Sequence, residues 1–334
     1  MRVKSEESVL IDGYDTLLLD LDGVVYLGAH PVAGAPEALE RARAKGVRLA
    51  YVTNNASRTP SAIAQHLTDI GVPAAKEDVV TSAQAAARLI AEQVPAGSKV
   101  LVVGGTGLRH AVRDQGLRPV STAAEKPVAV VQGIAPGLGY GLLAEGTLAV
   151  REGAMFVASN RDSTMPTNRG ELPGNGSMVR VIATATGVEP VYAGKPDPPL
   201  HRESMIRTGA SRPLVVGDRL DTDIEGASNA KVDSLLVLTG VATPLDLLTA
   251  VPDHRPTYVA EDLGGLHEPY PEASARSLGQ GSDGWRAFWR DGSLWLEGDG
   301  AWIDGLREAC RAAWTVDNTD PGAVEPALAR LNRP

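Results

Sequence analysis

From residue 15 to residue 240 the chain alternates short β-branched and aliphatic runs with Ala-rich stretches of helical spacing. Few architectures accept that order: it builds βα units on a parallel sheet. Strands are expected at 15–21, 47–53 (VRLAYVT), 99–104 (KVLVVG), 127–132, 154–159, 190–193, 213–217 (PLVVG) and 234–239. Helices are expected between most of them, at 35–45, 60–70, 82–93, 176–186 and 222–230. The fold class is therefore α/β, a Rossmann-like doubly wound parallel sheet. Each strand ends in Gly, Asp, Thr or Asn. Ligands of open parallel sheets bind at that end, so the chemistry is sought there.

With 334 residues and 43% hydrophobic content, the chain has material for two or three packed units. No run approaches 18 apolar residues, and the first 15 residues (MRVKSEESVLIDGYD) lack the apolar stretch of a signal peptide and the Arg/Ser bias of a transit peptide. A cytoplasmic protein without a membrane span is the expectation. A net charge of −9 and a pI near 5.2 argue against nucleic acid or an anionic membrane as partner, since both demand clustered Lys and Arg. The single cysteine, Cys310, excludes an intramolecular disulfide and a cysteine zinc site, and it reads as a small core residue.

Two acids carry the first chemical signal. In Asp15-Thr-Leu-Leu-Leu-Asp-Leu-Asp-Gly-Val-Val25 a buried-strand pattern ends in Asp20 and Asp22, whose i, i+2 spacing points both to one side. Carboxylates so close call for a cation or a shared proton. Gly23 follows, permitting a sharp turn whose N–H groups suit an anion. The second strand ends in Thr53-Asn54-Asn55, which offers a hydroxyl, a carboxamide and turn amides for a tetrahedral oxyanion; an ordinary Asn turn explains it equally. Gly194-Lys195-Pro196-Asp197-Pro198 holds one of only seven lysines in a stiff loop, where a solvated turn lysine is the plain alternative. Val215-Val-Gly-Asp218-Arg-Leu-Asp221-Thr-Asp223-Ile224 again places acids after an apolar strand. Carboxylate oxygens from separate strand ends are what Mg²⁺ takes.

These four elements, DLDGV, TNN, GKP and GDRLDTD, in this order over about residues 10–265, resemble the haloacid dehalogenase superfamily of phosphohydrolases. The resemblance implies that Asp20 is the nucleophile, forming an aspartyl-phosphate, and that Asp22 is the general acid and then base. It implies that Thr53 and the Asn54 amide hold phosphate oxygens and that Lys195 offsets the charge on phosphate and nucleophile. Mg²⁺ would take a carboxylate oxygen of Asp20, the backbone carbonyl of Asp22 and Asp218, with Asp223 orienting a water on the metal. Gly23, Asn55 and Arg58 complete the candidate phosphate and substrate contacts, Arg58 being equally readable as a loop-surface arginine. Asp221 matches no position of the pattern.

Spacing decides where a lid is inserted. Asp22 and Thr53 are 31 positions apart, room for a helix and a strand; Thr53 and Lys195 are 142 apart. An insert of four strands is expected there, which looks like the C2 cap of the NagD-type subfamily. The expected domains are a core at 1–86 and 189–265, the C2 cap at 87–188, and an appendage at 266–334. Ser159-Asn160-Arg161-Asp162 and Pro173-Gly174-Asn175-Gly176 resemble recurring cap segments, Asn160 and Asp162 being as readable as loop fasteners as they are substrate contacts. A lid favours a small phosphorylated metabolite. The stretch Gly133–Tyr140 offers no cation cluster, which mildly favours a polyol phosphate, and the whole chain looks most like the actinobacterial-type glycerol 3-phosphate phosphatases. Phosphoglycolate, a nucleotide or pyridoxal phosphate are alternative substrates, and non-catalytic binding of a phosphorylated metabolite is the alternative of another class.

A dinucleotide-binding reading of Val103-Gly104-Gly105-Thr106-Gly107 fails because His110 stands where a third Gly belongs and no acid follows about twenty residues on after a clean strand. Residues 267–284, rich in Pro, Gly and Ser, mark a boundary, and all five Trp follow at 285, 289, 295, 302 and 314. The i, i+3, i+4 spacing of Trp285, Phe288 and Trp289 reads as helical, LWLEGDGAW as a hairpin about Gly298–Gly300, and 303–314 as a helix. That order makes a small α+β appendage, and either it or the cap is a place for a homo-oligomer contact.

Overall fold

The computed structural model describes residues 8–167, 169–270, 284–317 and 319–331. The chain divides into two compact units, residues 1–49 with 208–334 and residues 50–207. The first unit opens on β1 (Thr16–Leu19), a small hairpin of β2 (Tyr26–Leu27) and β3 (His30–Pro31), and α1 (Ala35–Ala44). Every residue of β1 is buried, the continuous apolar pattern of a strand covered on both faces.

The second unit carries β4 (Arg48–Thr53), which begins just before it, then α2 (Pro60–Asp69), β5 (Val79–Thr81) and α3 (Ser82–Ala91). β4 and β5 pair in parallel. Thr81 and Gln84 close a capping box that starts α3 directly at the strand end. The insert then runs through β6 (Lys99–Val103), α4 (Thr106–Asp114), β7 (Arg118–Val120), β8 (Ala129–Gln132), α5 (Tyr140–Arg151), β9 (Met155–Ala158), a hairpin of β10 (Thr164–Thr167) and β11 (Gly170–Pro173), α6 (Asn175–Thr186) and β12 (Val191–Tyr192). Five of these strands form a parallel sheet in the order β12-β9-β8-β6-β7. Leu101, Val103, Val130 and Phe156 of this sheet share a core with Leu143 and Val150 of α5 and Val179 and Ile182 of α6. This second parallel sheet follows Thr53 in the chain, with β7 and the β10–β11 hairpin beyond the four strands expected. α7 (Pro198–Thr208) ends the unit.

The first unit resumes with β13 (Pro213–Gly217), α8 (Glu225–Ala230), β14 (Asp233–Val237), the five-residue α9 (Pro244–Leu248) and β15 (Tyr258–Ala260). Strands β15, β14, β13 and β1 lie side by side in that order, all parallel. Residues 220–224, where the sequence suggests the start of a helix at 222, form one π-type turn ahead of α8.

The C-terminal segment differs from expectation. Trp285, Phe288 and Trp289 lie on a strand, β16 (Trp285–Arg290), paired antiparallel with β17 (Ser293–Gly298). The hairpin turns at Asp291-Gly292, not at Gly298–Gly300. Both turn residues have positive φ, 51° and 77°, so Asp-Gly was the stronger signal, and the aromatic spacing masked it. Gly298 instead ends β17. α10 (Trp302–Ala313) matches its expected bounds within a residue, and α11 (Pro321–Arg330) follows. Trp285, Leu294, Leu296, Leu306 and Cys310 share one core with Leu247, Leu248 and Val259, and Trp289, Trp302 and Trp314 pack against it while Trp295 is exposed. Most of the expected 267–284 boundary lies outside the described residues. Among the described residues no helix is long and apolar enough to cross a membrane.

Candidate active site

β1 delivers Asp20 as its parallel pairing with β13 ends, the Asp20 N–H donating to Val216 O at 2.9 Å. The chain then turns tightly: Val25 and Tyr26 N–H both donate to Leu21 O, and Gly23 N–H donates to Tyr26 O at 2.8 Å. Gly23 adopts φ +85°, and a Cβ there would fall on the Asp218 carboxylate, so this position requires glycine twice over. Asp20 is half-buried and Asp22 exposed.

β13 delivers Asp218, fully buried, on the neighbouring strand. Its Oδ2 accepts from Val241 N–H at 2.8 Å, and its backbone carbonyl from Ala242 N–H at 3.0 Å. Gly240 lies flat against the same carboxylate, which a Cβ would overlap. Thr239 Oγ1 donates to Gly23 O at 2.5 Å, fastening this strap to the Asp20 turn as well. Asp223 is brought in by the π turn, a geometry recurrent at functional sites. It accepts from Arg219 N–H at 3.2 Å and packs so tightly on Gly217 that no larger residue fits there.

One carboxylate oxygen each from Asp20, Asp218 and Asp223 lies within 4.8 Å of the others. Three like charges at that range repel unless a cation sits among them. Two of the three are almost wholly buried, and the donors are hard oxygens only, a set that suits Mg²⁺ and not a soft metal. The residues fit the ion. Asp221 stays outside this group: its exposed carboxylate pairs with Arg219 at 2.9 and 3.1 Å. Burial works to raise its pKa, but the guanidinium prevails and holds it below the usual carboxylate range.

The second unit assembles the other predicted residues. Thr53 ends β4, and its hydroxyl accepts from Asn55 N–H at 3.1 Å. The Asn54 side chain is committed to architecture: Oδ1 accepts from Lys195 N–H at 2.8 Å, while Nδ2 donates to Lys195 O at 3.1 Å and reaches Asp162 at 3.2 Å. Asn55 Oδ1 accepts from Ser57 N–H, Ser57 Oγ and Arg58 N–H, the ordinary Asn turn, and Arg58 is exposed on it.

Cap residues reinforce this network. Asn160 Nδ2 donates to Asn54 O at 2.7 Å, and Asn175 Nδ2 to Asn160 O at 2.8 Å. Ser82 Oγ adds a bond to Asn54 O at 2.6 Å, which nothing in the motif order announced. Gly104-Gly105-Thr106-Gly107 serves packing: a Cβ on Gly107 would strike the Ala56 and Arg58 carbonyls. Lys195 is buried, with Nζ 3.4 Å from Val52 O. His201, on α7, is fully buried near it; burial first and the lysine charge second push its pKa down to about 3.

A haloacid dehalogenase-like hydrolase model matches residues 17–118, and a second hydrolase model of that superfamily matches 192–266. The chain belongs to the haloacid dehalogenase-like hydrolases. It is 51% identical to a D-glycerol 3-phosphate phosphatase of Mycobacterium tuberculosis over 76% of this chain and 71% of that one. It is 41% identical to a 5′-nucleotidase of Bacillus subtilis over 75% of this chain and 96% of that one. A solved glycerol phosphate phosphatase from Mycobacterium tuberculosis, in complex with magnesium, matches with a TM-score of 0.87 and 43% identity over 97% of this chain and 99% of that one. An NPPase structure from Geobacillus stearothermophilus matches at 0.69 and 31% over 75% of this haloacid dehalogenase-like chain and 97% of its own. The mycobacterial match thus extends into the tryptophan-rich segment.

Proposed function

We propose that this chain is a Mg²⁺-dependent phosphomonoesterase that hydrolyses glycerol 3-phosphate to glycerol and phosphate through a phosphorylated aspartate. The observation that carries the reaction class is the convergence of Asp20, Asp218 and Asp223 within 4.8 Å at the ends of neighbouring strands. The substrate rests on the 51% identity to the mycobacterial D-glycerol 3-phosphate phosphatase and on a cap stretch, Gly133–Tyr140, without cations for a second acidic group.

Asp20 attacks phosphorus, displacing the alkoxide and forming an acyl-phosphate. Asp22, exposed one turn away, protonates the departing oxygen and then takes a proton from the water that hydrolyses the acyl-phosphate. Asp20, Asp218 and the Asp22 carbonyl would hold the ion and Asp223 would orient a water on it, and the ion would supply positive charge for the phosphoryl oxygens. Thr53, the Asn54 backbone N–H and the Lys195 ammonium bind phosphoryl oxygens, and Asn54, Asp162 and Asn160 fix the two loops that carry them. Gly23 and Asn55 shape their turns, and Arg58 contacts the substrate from its exposed position.

In this reading residues 87–188 are the cap domain, 1–86 with 189–265 are the core, and 266–334 are appended. The enzyme is cytoplasmic, acts on a small phosphorylated metabolite and not on nucleic acid, and any self-association runs through the cap or the appendage. A panel of phosphomonoesters assayed with Mg²⁺ and with EDTA tests the proposal. Glycerol 3-phosphate should give the highest kcat/KM, and EDTA should abolish turnover. Faster hydrolysis of phosphoglycolate, pyridoxal phosphate or a nucleotide would displace the substrate, and unchanged turnover in EDTA would displace the metal.

A further inference from the structure

The strap that holds Asp218 is continuous with the element on which the C-terminal segment rests. Thr239 to Ala242 make three bonds to the acid loops: Thr239 Oγ1 to Gly23 O, Val241 N–H to Asp218 Oδ2 and Ala242 N–H to Asp218 O. The next residue, Thr243, is the N-cap of α9, locked in a capping box with Asp246 and followed by Pro244. No flexible residue separates strap from helix. A five-residue helix has no stability of its own and keeps its place only by packing.

That packing comes from the C-terminal segment. Leu247 and Leu248 are fully buried among Leu296, Leu306, Cys310 and Val324. Trp314, at the end of α10, donates its indole N–H to Leu247 O at 3.0 Å, a second bond on a last-turn carbonyl of α9 that also accepts from Ala250 N–H at 3.2 Å. Arg255 clasps both sides: Nε donates to Ala250 O at 3.0 Å, Nη1 to Trp314 O at 3.2 Å, and the guanidinium stands 5.9 Å from the Trp314 ring centroid.

We propose that Trp314 is a positioning residue for the metal centre: through α9 and the Thr239–Ala242 strap, the C-terminal segment holds the Asp218 carboxylate and the Gly23 turn in ligating register. This rests on the metal reading of the Asp20, Asp218 and Asp223 cluster. Among the described residues the tail contributes no ligand to this cluster. Its effect is preorganisation, since an aspartate free to swing binds the ion less tightly than one held by one backbone N–H on its carboxylate and a second on its main-chain carbonyl.

Trp289 provides the internal control. Its indole N–H donates to Ala312 O at 3.0 Å, an equivalent bond spent within the tail and not on α9. The experiment is Mg²⁺ calorimetry on the full-length wild type, Trp314→Phe and Trp289→Phe, with melting temperatures recorded alongside. Phe keeps a six-membered aromatic ring but loses the five-membered ring along with its N–H donor, and because both tryptophans pack on the same core the two variants share that packing loss. Both variants should melt a few degrees lower. Trp314→Phe should bind Mg²⁺ about fivefold more weakly, the factor one net hydrogen bond carries, with KM for the phosphomonoester unchanged at saturating Mg²⁺. Trp289→Phe should bind Mg²⁺ as the wild type does. Equal Mg²⁺ affinity in Trp314→Phe and wild type, or equal weakening in both variants, would overturn the proposal and leave the tail a stabiliser only. A wild type that binds no Mg²⁺ would instead overturn the metal reading, and the proposal with it.

Discussion

The acid cluster and the amide network solve opposite problems. Asp20, Asp218 and Asp223 bring like charges within 4.8 Å, and the surrounding glycines, Gly23, Gly217 and Gly240, clear the space for them to do so. The Asn54 network brings together donors and acceptors that satisfy one another, with Lys195, Asp162, Asn160 and Ser82 each contributing a partner. A cluster of the first kind has a function to perform, because unrelieved repulsion costs stability. One of the second kind rigidifies, and its side chains are spent on each other. Membership in a motif therefore does not say what a side chain does: Asp20 and Asn54 are both motif residues, yet the carboxylate of the first joins the acid cluster and the carboxamide of the second is bonded into the loop.

The sharpest way to separate the two regions is Asp20→Asn. Turnover should fall by at least about a thousandfold, as loss of a nucleophile does, while the melting temperature holds or rises as repulsion is relieved. A variant with full turnover would remove Asp20 from the nucleophile role. Gly240→Ala probes the same cluster through space alone, since its Cβ would overlap the Asp218 carboxylate. Mg²⁺ affinity should drop roughly 10- to 100-fold, the range seen when groups supporting metal ligands are changed; calorimetry giving the wild-type value would break the close-packing account.

Asn54→Ala should behave in the contrary way. Mg²⁺ affinity should stay at the wild-type value while stability falls by about 2 kcal/mol from unpaired partners, with turnover reduced roughly tenfold as Lys195 loses its anchor. A loss of Mg²⁺ affinity in urea-stable protein would blur the division. The smallest effect concerns pH. Neither ring nitrogen of His201 finds a hydrogen-bond partner among the described residues, and its pKa is pushed from 6.5 down to about 3. The unfolded chain takes up that proton near pH 6.5 and the folded chain does not, so stability is lost as pH falls between those values, by up to about 1.4 kcal/mol per pH unit. Melting temperatures from pH 7 to pH 5 should decline less steeply in His201→Leu than in the wild type; parallel slopes would contradict the assignment.

Much of this was legible in the sequence because it repeats over several residues or rests on residue type. The buried strands at 16–19 and 213–217, the inserted sheet after Thr53 and the order of the four motifs are of that kind. What escaped depends on single backbone positions. Gly240 and Thr239 sit in an unremarkable loop, and only the fold shows them against Asp218 and Gly23. Asn55 could be a ligand or a turn former on sequence alone, and its carboxamide caps the turn. The aromatic triad of β16 carried a helical spacing that the Asp291-Gly292 turn overrode, because two positive-φ residues between apolar runs decide a hairpin more firmly than side-chain period decides a helix.

The central claim is that Asp20, Asp218 and Asp223 are the metal centre of this hydrolase, and it is tested most directly by Mg²⁺ calorimetry on the wild type and Asp218→Asn. The account predicts one Mg²⁺ site per chain in the wild type and its loss in the variant. Equal binding by both proteins would contradict it.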